Sequence, residues 1–282
     1  GNRDAYPIVL NGLKRLEYRG YDSAGVAVLD KEKNLQIRKA VGKVASLEEA
    51  INNSPTKGGV GIAHTRWATH GKPSEANAHP HHSMAGDVAV VHNGIIENFD
   101  ALRKILEKDG VIFKSETDTE VIAHLVKSFL DKGLTLLEAV QASTEKCEGA
   151  YGVAVIHAED PNTIVVARSG SPLVIGVGIE ENFIASDQLA LRQVTDRFIY
   201  LEEGDTAVIT KEKYTIYDAD RKEIERDIVQ LTDGIESSER GKFRHYMLKE
   251  IYEQPEVIRN TLTGRLGKNK VLEEAFGTNA KD

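Results

Sequence analysis

The stretch "AYGVAVIHAEDPNTIVVARSGSPLVIGVG", Ala150 to Gly178, decides the fold class. Its apolar, β-branched runs "AYGVAVIHA", "TIVVARS" and "PLVIGVG" each have the length of a strand, and short turn-forming clusters separate them. The pattern continues through "NFIAS", "RFIYLEEGD", "TAVITK" and "YTIYDA". Strands at such short intervals predict antiparallel sheets.

Upstream, helices and strands come in blocks. "DAYPIVLNGLKRLEYRG" reads as a helix, with Ile8, Val9, Leu13 and Leu16 at helical spacing, Asp4 as cap and Gly20 as stop. "SAGVAVLD" and "LQIRKAVG" are strands about a polar "KEKN" turn, and "SLEEAINN" is a short helix. "GVGIAHTR" and "DVAVVHNG" read as buried strands. "NFDALRKILEKDG", "DTEVIAHLVKSFLDKG" and "TLLEAVQAST" follow as helices, the second with an apolar stripe through Val121, Ile122, Leu125, Phe129 and Leu130. Runs of strands and helices in separate blocks predict a layered α+β domain, not alternating βαβ units. The composition shifts near Thr232, so residues 1–232 are expected to form the domain and 233–282 a charged, helix-prone tail or connector. In that tail "YMLKEIYEQP" is expected to end its helix before Pro255.

The 282 residues are 40% hydrophobic and 28% charged, in the range of an ordinary globular protein. A net charge of −8 lacks the basic face of a nucleic-acid binder. The single cysteine, Cys147, can form no intrachain disulfide, which fits a reducing compartment. No run has the length of a membrane span, and no leader precedes a cleavage site; a cytoplasmic protein is expected.

Between the two buried strands lies "GIAHTRWATHGKPSEANAHPHH", Gly61 to His82, with five histidines. Metal binding is disfavoured, because the zinc-protease pair with glutamate is absent, no cysteine is near and the only local carboxylate is Glu75. A polar surface loop is the plain alternative. A third reading rests on Arg66, at a strand end, whose planar fork matches a carboxylate, with Trp67 as lid and Thr69 and His70 as donors. Alone, Arg66 reads as a surface salt-bridge residue. Asn93-Gly94 reads either as a tight turn or as an oxyanion hole made of a side-chain amide and the next backbone N–H. Asp118 reads either as a helix cap, a role open also to Thr117, or as the partner of a substrate ammonium. Taken together, the functional readings describe a site for an amino-acid amide.

Several strings carry a family resemblance: "LEYRGYDSAG" (16–25), "GIAHTRWATHG" (61–71), "VHNGIIEN" (91–98), "SETDTEVIAHL" (115–125), "SGSPLVIG" (169–176), "FIASDQLAL" (183–191) and "RHYMLKEIYEQP" (244–255). Over essentially the whole chain they resemble the class II glutamine amidotransferases, in wording that is similar to the glutamine–fructose-6-phosphate aminotransferases. The resemblance implies the N-terminal-nucleophile hydrolase fold, a four-layer αββα sandwich with two antiparallel sheets. It implies Arg66 on the α-carboxylate of glutamine and Asp118 on its α-ammonium, with Thr69, His70 and His79 completing the pocket. Trp67 then sits on the closing loop, Asn93 and Gly94 form the oxyanion hole, and Arg19 lies near the catalytic amino terminus.

The implied function is hydrolysis of glutamine to glutamate and ammonia for glucosamine 6-phosphate synthesis, with no cofactor or metal. Fructose 6-phosphate would bind only to separate sugar-isomerase domains, and the full-length enzyme would be a homodimer. Family members begin with a cysteine nucleophile on an apolar strand, whereas this sequence starts "GNRDAYPI". The chain as printed is therefore expected to be inactive, with Cys147 structural. A different class II amidotransferase and a non-enzymatic glutamine-binding module are the competing readings.

Overall fold

The computed structural model describes residues 3–19, 22–67, 71–231, 243 and 245–262. In chain order these form α1 (Ala5–Leu16), β1 (Ser23–Leu29), β2 (Leu35–Val41), α2 (Val44–Asn53), β3 (Val60–Arg66), β4 (His81–His82), β5 (Val88–Ile96), α3 (Phe99–Lys108), α4 (Thr119–Leu130) and α5 (Leu136–Thr144). There follow β6 (Gly149–His157), β7 (Ile164–Ser169), β8 (Val174–Val177), β9 (Asn182–Ala185), β10 (Arg197–Tyr200), β11 (Thr206–Ile209), β12 (Tyr214–Tyr217), β13 (Glu223–Ile224), β14 (Val229–Gln230) and α6 (Tyr246–Leu262). The chain divides into two compact units, 1–232 and 233–282.

In the first unit, β13-β12-β11-β7-β6-β5-β4 make a seven-stranded sheet, β2-β1-β3 a three-stranded one and β14-β10-β8-β9 a four-stranded one. Every strand pair is antiparallel, as the short turns predict. One face of the large sheet packs Val153, Val155 and Val165 against Leu102, Val121, Val126 and Val140 of α3 to α5. Its other face sets Ala89, Ala154, Ile156 and Val166 against Ala27, Leu29 and Ile62 of the small sheet and Ile175 and Ile199 of the four-stranded sheet. The small sheet turns Ala24, Val26 and Val28 onto Leu10, Leu13, Leu47 and Ile51 of α1 and α2. The result is the expected αββα order. The departure is that one β layer comes as two separate sheets.

Local chemistry explains most elements. Pro7 sits in the first turn of α1, where a missing N–H costs nothing. Asp4 stands at the cap position, but its Oδ1 accepts the Gly58 N–H instead of a helix donor. Thr135 and Glu138 form a full capping box on α5. Helix α4 is buried almost all round from Thr119 to Val126, which accounts for its broad apolar character.

In the second unit the expectation at Pro255 is corrected. Helix α6 runs through it to Leu262. Proline removes one donor, and this stretch of α6 is mostly exposed, so the carbonyl it leaves can be met by water. No helix among the described residues is long and apolar enough to cross a membrane.

Candidate functional site

Strand β3 ends at Arg66 and strand β5 carries Asn93 and Gly94; they belong to different sheets whose faces meet. A cavity of about 490 Å³ opens where they converge, and Arg66, Trp67, His79, Asn93, Gly94 and Asp118 all line it. Thr69 and His70 lie outside the described residues, as does the side chain of Arg19, whose backbone closes a 3-10 turn over Glu17–Arg19.

Arg66 is buried, so the plain surface salt-bridge reading does not hold. Its Nη2 donates to the Gly71 carbonyl at 2.8 Å, and its Nη1 lies 3.6 Å from Oδ1 of Asp22. Trp67, one residue further, is 65% exposed and stands at the rim.

Asp118 is also buried, and it stands at the first turn of α4 without capping it. Its Oδ2 accepts the Ile96 N–H at 2.8 Å, which ties the helix start to the end of β5. Glu120 holds the preceding segment: its carboxylate accepts the Lys114 and Ser115 N–H groups and the Ser115 hydroxyl. Burial raises the Glu120 pKa, but His124, Ser115 and the two backbone donors outweigh it and hold the carboxyl at about 2.

Asn93-Gly94 is not a turn. Both residues lie within β5 and pair with Gly152 and Tyr151 of β6. Gly94 has φ +126, and a Cβ there would fall 2.0 Å from the Ala150 carbonyl oxygen, so only glycine fits. The Asn93 Oδ1 lies 2.8 Å from Nε2 of His64. With its oxygen bound to that ring, the amide nitrogen of Asn93 is the end left to meet a ligand.

Among the described residues, His79, His81 and His92 are buried and His64 is half-buried, which does not fit a polar surface loop. His64 and His79 stack with ring centroids 4.3 Å apart, and His81 meets His79 edge-on at 4.9 Å. His81 Nε2 pairs with the Thr117 hydroxyl and His92 Nδ1 with the Thr119 hydroxyl. Burial pushes the His64 ring down to about 4, against the bond to Asn93. It pushes His79 and His81 well below the ordinary value, and lowers His92 against the pull of Asp118. All four rings are neutral near pH 7. Among the described residues, the formal charges on the cavity wall are then one cation, Arg66, and one anion, Asp118. Among the described residues no group of three His, Cys, Asp or Glu is arranged to hold a metal ion.

Sequence reasoning passed over His64, His92 and Asp22 as site residues. His64 precedes Arg66 by two in the same strand, so both project from one face, and that period-2 relation was the available signal. Gly25 has a related role outside the cavity: its missing Cβ makes room for the His79 carbonyl, which would otherwise lie 2.1 Å away. Cys147 does not line this cavity, although the Asp118 charge acts on its thiol. It packs against the core of α3 to α5, donates to the Ser143 carbonyl, and burial pushes its thiol up to about 12.

A family model described as a glutamine amidotransferase domain matches residues 64–193, the span that holds Arg66, Asn93 and Asp118. The solved glutamine phosphoribosylpyrophosphate amidotransferase from B. subtilis superposes with a TM-score of 0.65 at 28% identity, covering 77% of this chain and 47% of that one. A second structure, titled an allosteric regulatory enzyme of purine biosynthesis, gives the same score and identity over 75% of this chain and 46% of its own. The chain is thus similar to the glutamine amidotransferase family over residues 64–193, and to its fold over about three quarters of its length.

Within that family its similarity runs to the glutamine–fructose-6-phosphate aminotransferases (isomerizing). It is 58% identical to the Pseudomonas aeruginosa enzyme over 99% of this chain and 46% of that protein. It is 55% identical to the Vibrio vulnificus enzyme with the same coverage. The chain thus spans about half the length of the curated relatives it matches, and what it matches is their glutaminase domain.

Proposed function

We propose that the cavity binds glutamine as a zwitterion and that this domain hydrolyses it to glutamate and ammonia. The observation that carries the reading is the charge arrangement on the cavity wall: one buried cation, Arg66, and one buried anion, Asp118, beside Asn93 and Gly94. Arg66 takes the α-carboxylate, for which its planar fork is suited, and Asp118 takes the α-ammonium. The side-chain amide then reaches Asn93 and Gly94. His79 walls the pocket, Trp67 covers it, and Thr69 and His70 supply further donors.

In the reaction a thiolate attacks the side-chain carbonyl carbon, and the developing oxyanion accepts from the Asn93 amide and the Gly94 N–H. Each such donor stabilises the transition state by about 3 kcal/mol in comparable sites. The C–N bond breaks, ammonia leaves with a proton, and water hydrolyses the thioester to glutamate. Cys147 does not serve, because its thiol is held protonated by burial away from the cavity. The family resemblance assigns the attack to an amino-terminal cysteine, with Arg19 near it. On that reading the ammonia is passed to sugar-isomerase domains that bind fructose 6-phosphate. There it yields glucosamine 6-phosphate in a homodimeric, cytoplasmic enzyme, with residues 233–282 as the connector.

Calorimetric titration of this chain with glutamate tests the pocket. Binding that weakens by roughly tenfold to a hundredfold in Arg66→Ala, the worth of a hydrogen bond to a charged group, supports the assignment. Unchanged binding in a folded Arg66→Ala removes it. Ammonia release from glutamine by a chain given a cysteine-led amino terminus, and its absence from the present sequence, tests the chemistry.

A further inference from the structure

Arg66 and Asp118 reach the charged pocket from separate segments, and Asn77, which does not line the cavity, is bonded to the backbone beside each. Asn77 lies in a turn after Gly71 and is buried. Its Nδ2 donates to the Lys72 carbonyl and to Oε2 of Glu116, each at 3.0 Å, and its Oδ1 accepts the Glu116 N–H at 2.9 Å. Its own backbone N–H donates to the Ser74 hydroxyl oxygen, which holds the turn. Both ends of the amide are therefore in use, and the pairing with Glu116 is two-pronged. Taking one partner away from such buried groups leaves the others unmet, which is costly.

These bonds link the two charged anchors of the pocket. On one side, Gly71 carries the carbonyl that accepts Nη2 of Arg66 at 2.8 Å. Gly71 has φ +75 and lies so close to the Asn77 amide that a Cβ there would fall 2.6 Å from its Nδ2. On the other side, Glu116 stands two residues ahead of Asp118, in the segment that enters α4. Asn77 therefore clamps the backbone beside Arg66 to the backbone beside Asp118. The two charges of a bound amino acid must match the spacing that these side chains keep. A site discriminates on that scale only when the groups behind it hold it to about 0.5 Å.

We propose that Asn77 is a positioning residue that sets the spacing between the Arg66 guanidinium and the Asp118 carboxylate, and so restricts the pocket to amino acids whose carboxylate and ammonium share one carbon. The proposal rests on the glutamine-site reading above. Glutamate meets the condition. Its isomer 3-aminoglutarate has the same charges and the same chain length, but its ammonium sits one carbon further from either carboxylate, a C–C bond being about 1.5 Å. Asn77 touches neither ligand. It acts through the Gly71–Lys72 backbone on Arg66 and through Glu116 on Asp118.

The test is calorimetric titration of the 282-residue chain with glutamate and with 3-aminoglutarate. The parent should bind glutamate more tightly by about tenfold or more, the scale of one misplaced charged contact. In a folded Asn77→Ala the two dissociation constants should come to within about threefold of each other. A side chain with a merely structural role would weaken both ligands by one factor and leave their ratio alone. Glu116→Ala removes only the Oε2 bond, from an exposed residue, so the fold should hold and the ratio should fall by roughly threefold. If Asn77→Ala does not fold, Glu116→Ala decides, and a ratio equal to the parent's overturns the proposal. The parent's ratio kept in a folded Asn77→Ala also overturns it, as does a parent that binds both ligands alike. Those outcomes leave the glutamine site standing. A parent that binds neither ligand overturns that reading and this one together.

Discussion

Nε2 of His64 lies 2.8 Å from Oδ1 of Asn93, across the gap between two sheets. The contact joins β3 to β5 and fixes which end of the asparagine amide is bound. It requires a proton on Nε2, which by itself favours the charged ring, and burial outweighs that and keeps the ring neutral by pushing His64 down to about 4.

This has a consequence for acid stability. An unfolded histidine takes a proton near pH 6.5, whereas folded His64 resists until about pH 4. Its contribution is complete above the unfolded value and is lost as pH falls from 6.5 to 4, a loss of about 3 kcal/mol across the window. His79, His81 and His92 are lowered in the same direction and steepen the fall. Glu120, held at about 2, adds a further loss below its ordinary range near 4.5. Urea midpoints measured at pH 7.5, 6 and 5 should drop progressively, and His64→Gln should flatten the slope. A flat profile from pH 7.5 to 5 would refute the buried-histidine account.

Gly94 admits no side chain. Ala at this position meets the Ala150 carbonyl oxygen at 2.0 Å and carries a φ of +126. Overpacking and backbone strain together should destabilise Gly94→Ala by about 2–4 kcal/mol, read as a lower urea midpoint. A variant within a few tenths of a kcal/mol of the parent would show that β5 and β6 separate more easily than their pairing indicates.

Asp118→Asn separates the structural from the binding role of that carboxylate. The amide oxygen can still accept the Ile96 N–H, so the fold should hold. The lost charge should weaken glutamate by about tenfold or more, and should leave glutarate, which has no ammonium, little changed. Equal weakening of both ligands would mean that Asp118 shapes the pocket without meeting the ammonium.

Cys147 should be unreactive in the folded chain. With its thiol pushed up to about 12, little thiolate exists near pH 8, and the thiolate is the nucleophile. Iodoacetamide labelling followed by mass spectrometry should be at least tenfold slower in buffer than in 8 M urea, on the order expected from the thiolate fraction. Comparable rates would show that the thiol is open to solvent.

The sequence by itself determined the elements that local patterning writes. Alternation and β-branched runs located β1 to β3 and β5 to β12. Helical spacing located α1 to α5, and the motif strings pointed to Arg66, Asn93, Gly94 and Asp118. The two-residue strands β4, β13 and β14 left no such trace, because a pair of residues has no period and forms only where a neighbouring edge already stands.

What only the tertiary structure decided is what depends on packing between distant segments. A glycine-containing pair that could equally turn the chain became a strand position because Ala150 approaches it. An arginine with the local look of a surface residue became buried, and a histidine with no motif of its own came to hold Asn93. Periodicity records which face of an element is apolar. It does not record which other face that one will meet, and the charges of Arg66 and Asp118 share a cavity only because two sheets close on each other to bury their apolar sides.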